Sequence, residues 1–178
     1  MKGLRSFARS AVFLGAILLM SAAAEPADAQ AKSGAKPKVL LTTNMGDITI
    51  ELDPQAAPNT VANFLAYVRE GHYNGTIFHR VINSFMIQGG GFTQDFARVP
   101  TRAPIQNEAD TGLPNERGTI AMARTSDPHS ATDQFFINLK FNGFLDHRGK
   151  TGSAWGYTAF GNVTDGMNIV VRIGLVKT

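Results

Sequence analysis

Residues 78 to 92, "FHRVINSFMIQGGGF", set a histidine and an arginine beside phenylalanine, methionine and glutamine, and close on three glycines. Arg80 stands among Phe78, Val81, Ile82, Phe85, Met86 and Ile87, all residues that read as core. Arginine keeps its charge at any ordinary pH and presents a planar fork of N–H donors. A fork set in an apolar wall is expected to donate to a substrate rather than to decorate a surface. Other chemistries lack their markers. "GKT" at 149 to 151 has Phe144 where a phosphate-binding loop needs glycine. No G-x-S-x-G elbow is present. His72, His79, His129 and His147 show no metal-ligand spacing, so no metal site is expected. His79 reads as a structural histidine hydrogen-bonded in the core, more than as a general base. The glycines at 89 to 91 read as a backbone crossing or strand bulge rather than a phosphate cradle.

The elements that must carry this stretch follow from the rest of the chain. Of 178 residues, the first 29 read as a secretory signal peptide. Lys2, Arg5 and Arg9 precede "AVFLGAILLMSAAA", and "ADAQ" offers cleavage after Ala29, with Ala24 as the weaker site. The apolar run is too short for a spanning helix, so no stable membrane insertion is expected after cleavage. The expectation is export to the periplasm or secretion. With no cysteine, the chain has no disulfide, thiolate catalysis, cysteine-type metal site or lipid-modified N-terminal cysteine. The fold must rest on a hydrophobic core, for which roughly 140–150 residues suffice. Beyond residue 29 there remain 14 basic against 12 acidic side chains, a balance that does not point to nucleic acid.

"QAKSGAKPK", residues 30 to 38, reads as a flexible lead-in to a single domain over 39–178. "VLLTT" and "ITIEL" flank "NMGD" as a hairpin over 39–52. In "APNTVANFLAYVREG", Pro58 suits the first helical position, and Val61, Phe64, Leu65 and Val68 form an apolar stripe that Gly71 can close. A shorter helix is expected over 165–173. The short apolar runs between them, punctuated by Gly, Asn, Asp and Pro, have the rhythm of an antiparallel barrel or sandwich with helices at its margins.

Four blocks in order, "FHRVINSFMIQGGGF", "NERGTIAMAR", "DQFFIN" and "GFLDHRGKTGSAWGYTAFGNV", resemble the cyclophilin family of peptidyl-prolyl cis–trans isomerases. "QNEAD", "MARTSD" and the triple glycine resemble bacterial exported members most. The resemblance implies a mainly β fold: a closed eight-stranded antiparallel barrel capped by two helices, with its groove on the outside. It implies isomerisation of X-Pro bonds in proline-containing polypeptides, without a cofactor, in the service of folding exported proteins. By position, Arg80 matches the catalytic arginine. Phe85, Met86, Phe136 and Leu145 match the proline pocket, Gln88 the glutamine that binds substrate backbone, and Ala123 the groove beside it. Gln134 matches a supporting polar group. Phe144 stands where many members carry the tryptophan associated with tight cyclosporin binding, and Tyr157 takes the place of a pocket histidine. Trp155 reads as packing or loop contact.

Two further expectations come with the resemblance. Members usually continue past the second helix into a final strand that closes the barrel, whereas here "DGMNIVVRI" is followed only by "GLVKT". The expected barrel is therefore missing its last strand, leaving a monomer with an open edge at 39–43 through which copies can self-associate. A different class of function also stays open: a proline-peptide binding module or holding chaperone with little turnover. Activity on a short X-Pro peptide separates the two.

Overall fold

A computed structural model describes residues 36–177. The signal segment lies outside the described residues, as do residues 30–35 of the lead-in. The chain enters as a hairpin, β1 (Lys38–Thr43) and β2 (Gly46–Leu52), followed by helix α1 (Pro58–Arg69). Three short strands come next, β3 (Arg80–Ile82), β4 (Met86–Gly89) and β5 (Thr119–Met122), then β6 (Phe135–Asn138). Two 3-10 turns, Gly143–Leu145 and Gly152–Trp155, lead into β7 (Ala159–Asp165) and helix α2 (Met167–Ile173). All strands pair antiparallel in the order β1-β2-β7-β5-β6-β4-β3. The sheet curls into a half-barrel with two helices.

Strand alternation divides the residues between two faces. Ile48, Ile50, Leu52, Ile87, Ile120, Ile137 and Phe160 point inward, meet Val61 and Phe64 of α1 and Val170 of α2, and are all at most 2% exposed. Their sequence neighbours Met86, Ala121, Phe136 and Ala159 point outward and build a second, smaller apolar cluster with Leu145. A site assembled on that cluster lies outside the barrel.

Three local expectations shift. The sheet starts before Val39: Lys38 opens β1, the Pro37 carbonyl accepts from the Leu52 N–H at 2.8 Å, and Lys36 pairs with Asp53 at 2.7 Å. Residues 36–38 are thus tied down rather than a flexible lead-in. In α1, Pro58 does open the helix, but the fully buried positions are Thr60, Val61, Phe64 and Tyr67, while Leu65 and Val68 are only half-buried. The stripe turns because Tyr67 and Thr60 have polar partners inside: the Tyr67 hydroxyl accepts from the Arg102 N–H at 2.7 Å, and Thr60 meets Glu108. No α1 side chain caps its own N-terminus. The buried Glu108 does so instead, one oxygen accepting from the Asn59 N–H and side-chain amide (3.1 and 2.8 Å), the other from the Thr60 N–H and hydroxyl (both 2.8 Å). Finally, α2 begins at Met167 because Gly166 turns in with φ 82°, where any Cβ would strike the Asp47 carbonyl.

β1 and β3 are the two ends of the sheet. Between β1 and the Tyr73–Phe78 segment lies a cleft of about 370 Å³, with Gly89 and Phe135 among its lining residues. Among the described residues, β1 pairs with β2 alone.

Candidate functional site

The outward cluster of β4, β5 and β6 forms the floor of an open cavity of about 440 Å³. Arg80, Phe85, Met86, Gln88, Ala123, Phe136, Phe144, Leu145 and Tyr157 all line it. Nine of the ten residues singled out in the sequence therefore meet in one place. The tenth, Gln134, lines the next cavity and reaches the first through its amide. The floor is dry: Met86, Phe136 and Leu145 are 2%, 4% and 8% exposed. Its walls are aromatic, with Phe85 stacked on Phe144 at 5.7 Å and Tyr157 meeting the Phe136 ring edge-on at 5.8 Å. Such a bowl is shaped for a small apolar ring.

The polar rim is a relay of amides. Gln134 Oε1 accepts from Gln88 Nε2 at 3.0 Å, and Gln88 Oε1 accepts from Arg80 at 3.2 Å. Arg80 and Gln88 face each other across β3 and β4, so the register sets their side chains on one face. The triple glycine serves this relay. Gly89 ends β4 and Gly90 adopts φ 93°, and a Cβ on Gly91 would stand 2.5 Å from the Gln134 amide nitrogen. Glycine at 91 is what lets Gln134 lie along the strand end.

Arg80 does not sit inside an apolar wall. It is exposed, as are Ile82, Asn83 and Ser84, because β3 is a three-residue strand at the end of the sheet. The apolar neighbours read from the sequence divide, Met86 and Ile87 becoming buried and Ile82 staying 38% exposed. His79, one residue earlier, points to the other face and packs its ring against Phe92 at 4.7 Å. Among the described residues its buried Nδ1 has no hydrogen-bond partner, and burial holds its pKa below the usual histidine value. Trp155 stays out of the cavity, 6% exposed between the rings of His129 and His147.

Several contributors escaped the sequence reading. Asn115, Asn138 and Asn142 are completely buried behind the bowl. The Asn142 amide donates to the Phe85 carbonyl (3.0 Å) and to Asn138 Oδ1 (2.7 Å), while the Asn115 N–H and amide both donate to Asp146 (2.7 and 2.9 Å). This network ties the loop bearing Phe85 to the turn bearing Phe144 and Leu145. Asparagines beside apolar residues in "FIN" and "FNGF" were the available signal. Arg124 was also missed. It lines the bowl with its guanidinium 4.6 Å above the Tyr157 ring.

An apolar ring pocket with a guanidinium donor and amides at its lip suits a proline-containing peptide. Residues 38–178 match the model of the cyclophilin type peptidyl-prolyl cis-trans isomerases. The chain belongs to that family. It is 63% identical over 140 residues to the peptidyl-prolyl cis-trans isomerase cyp18 of Streptomyces antibioticus, covering 79% of this chain and 84% of the other. The peptidyl-prolyl cis-trans isomerase B of Escherichia coli is 56% identical, with coverage of 79% and 85%. Among solved structures, a Cryptosporidium parvum cyclophilin type isomerase in the presence of the dipeptide Ala-Pro superposes with a TM-score of 0.65 at 28% identity, covering 80% of this chain and 87% of that one. The cyclophilin AquaCyp293 from Hirschia baltica gives the same TM-score and identity over 75% and 66%. This cyclophilin is a peptidyl-prolyl cis–trans isomerase, EC 5.2.1.8.

Proposed function

We propose that the outer groove catalyses X-Pro rotation by seating the proline ring on Met86, Phe136 and Leu145 while Arg80 donates to the prolyl nitrogen. Amide resonance sets a barrier of ~18–20 kcal/mol to this rotation. In the twisted state the nitrogen becomes pyramidal and gains a localised lone pair, so a donor aimed at it favours the transition state over either ground state. Gln88 holds the neighbouring carbonyl of the substrate, and Gln134 keeps Gln88 in its orientation. The observation that carries this reading is the Gln134–Gln88–Arg80 relay at the lip of the apolar bowl. Since Arg80 is exposed in the free protein, the substrate itself must displace water from it. A donor in a site so dried is worth ~3–4 kcal/mol, or ~10²–10³ in rate. Arg80→Ala is therefore expected to lower kcat/KM on a short X-Pro peptide by ~10² or more, with little change in the urea midpoint. Near wild-type turnover by that variant would rule the mechanism out.

The pattern of residues 1 to 29 supports a role in folding exported proteins, in the periplasm of a bacterial cell. A reporter active only after export, fused behind those residues, tests it. Among the described residues β1 pairs with β2 alone, which supports self-association of an otherwise monomeric enzyme.

A further inference from the structure

A second cavity of about 280 Å³ lies beside the proline bowl, sharing Gln88, Ala123 and Arg124 with it. Its charged lining, among the described residues, is Arg98, Arg124 and Asp133. The Asp133 carboxylate is not open to a ligand there. Its side chain is 2% exposed, it accepts from the Thr132 hydroxyl at 2.9 Å, and it lies 3.0 Å from the His72 imidazole. The arginines are held in another way. Arg124 Nε donates to the Gly156 carbonyl at 2.8 Å, and its terminal nitrogens donate to the Thr125 and Gly152 carbonyls at 2.9 and 3.4 Å. Carbonyls and the Tyr157 ring fix this cation in place without cancelling its charge. They engage three of the five N–H groups that a guanidinium carries. Arg98 lies 5.5 Å over the Phe92 ring. Neither arginine forms an ion pair among the described residues.

The position of this cavity relative to the bond being turned follows from the reading of the bowl as the isomerase site, on which this inference rests. With the ring in the bowl, the prolyl nitrogen must face Arg80, which is bonded to Gln88. On that reading the chain preceding the proline leaves from that nitrogen beside Gln88, which with Ala123 lines both cavities, and so has the second cavity open to it. We infer that Arg124 and Arg98 make this groove selective for substrates with an acidic side chain one or two residues before the proline. A carboxylate there meets Arg124, held in place by carbonyls and a ring, and Arg98, neither of them ion-paired among the described residues, and gains charge-assisted hydrogen bonds, whereas a lysine meets like charge. Arg124 and Arg98 are specificity-determining residues, while the rotation itself is left to the bowl and Arg80.

The test is a peptide series assayed with the purified protein: Glu, Ala or Lys placed two residues before the proline, one residue before it, or two residues after it. Expected is a kcat/KM about fivefold higher for Glu than for Lys at one of the preceding positions, no such order after the proline, and a flattened ratio at 0.5 M salt. Arg124→Gln combined with Arg98→Gln should bring the Glu-to-Lys ratio to about one. The ratio within each variant is the readout, so a general loss of turnover does not obscure it. Equal rates for all three side chains before the proline would overturn the inference while leaving the isomerase reading intact. A preference equally strong after the proline would also overturn it, since that is attraction to net charge. Failure to isomerise any peptide would instead refute the reading of the bowl.

Discussion

Arg80 is held by a single hydrogen bond to Gln88, and its value to the reaction lies in geometry rather than in charge alone. Arg80→Lys keeps the charge but replaces a planar fork by a rotating ammonium, so it should behave in turnover assays much more like the alanine variant than like wild type. Phe136 carries two duties, wall of the bowl and member of the outward cluster. Phe136→Ala is expected to cost ~3 kcal/mol or more in urea unfolding and to raise KM for an X-Pro peptide. A variant with unchanged KM would remove Phe136 from the pocket. Arg80 was findable because an arginine among apolar residues is conspicuous, Phe136 only through the family resemblance. The sequence did not make Arg80's exposure visible, since that depends on β3 being an end strand, a matter of pairing rather than of local pattern. Arg124 stayed hidden for the opposite reason: a lone arginine after "IAMA" resembles any solvated charge until Tyr157 is placed beneath it.

Among elements, α1 shows how far local signals reach. Pro58 and the apolar spacing announced the helix and its first residue, yet its N-terminal donors are satisfied from a distant loop, and no local motif encodes that. Glu108→Gln keeps the shape but points an N–H₂ group at donors that now share a carboxylate. The expected loss is ~2–3 kcal/mol in stability, read by urea unfolding, with early fraying of α1 by hydrogen exchange. An unchanged midpoint would mean that water serves the helix end equally well. The hairpin and both helices were legible because period and turn residues agree with the final fold, whereas the outside position of the groove came only with the family resemblance. The asparagine network was not legible, because its bonds join residues as far apart as 31 positions, Asn115 to Asp146, and 57 positions, Phe85 to Asn142, and only the folded chain brings them together.

For the molecule as a whole, the seam beside β1 and the pH response are the measurable properties. The Leu52 N–H bonds the Pro37 carbonyl, so by alternation residues 39, 41 and 43 bond toward β2, and the amides of Leu40 and Thr42 face outward. In dilute solution Leu40 and Thr42 should exchange much faster than Val39 and Leu41, and should slow as concentration rises if copies pair there. Uniform protection across β1 at high dilution would show that the edge is covered. Acid should also weaken the fold, through His79. Because burial depresses its folded pKa, the unfolded chain takes up the proton first as pH falls. The stability tied to the neutral ring is complete above ~6.5 and is lost as pH drops through the folded value. Urea midpoints should fall between pH 7.5 and 5.5, and less steeply in His79→Gln.

The cap on α1 also bears on the order of events as the chain is made. Glu108 lies 48 residues beyond Thr60, so when the twelve-residue helix first emerges from a ribosome its leading donors have no carboxylate to meet. A helix of that length is marginal in water by itself. It becomes firm only once the loop carrying Glu108 has been synthesised and has docked. A nascent chain halted before residue 108 should therefore hold residues 58–69 as a fraying helix, and one halted well after it should protect them.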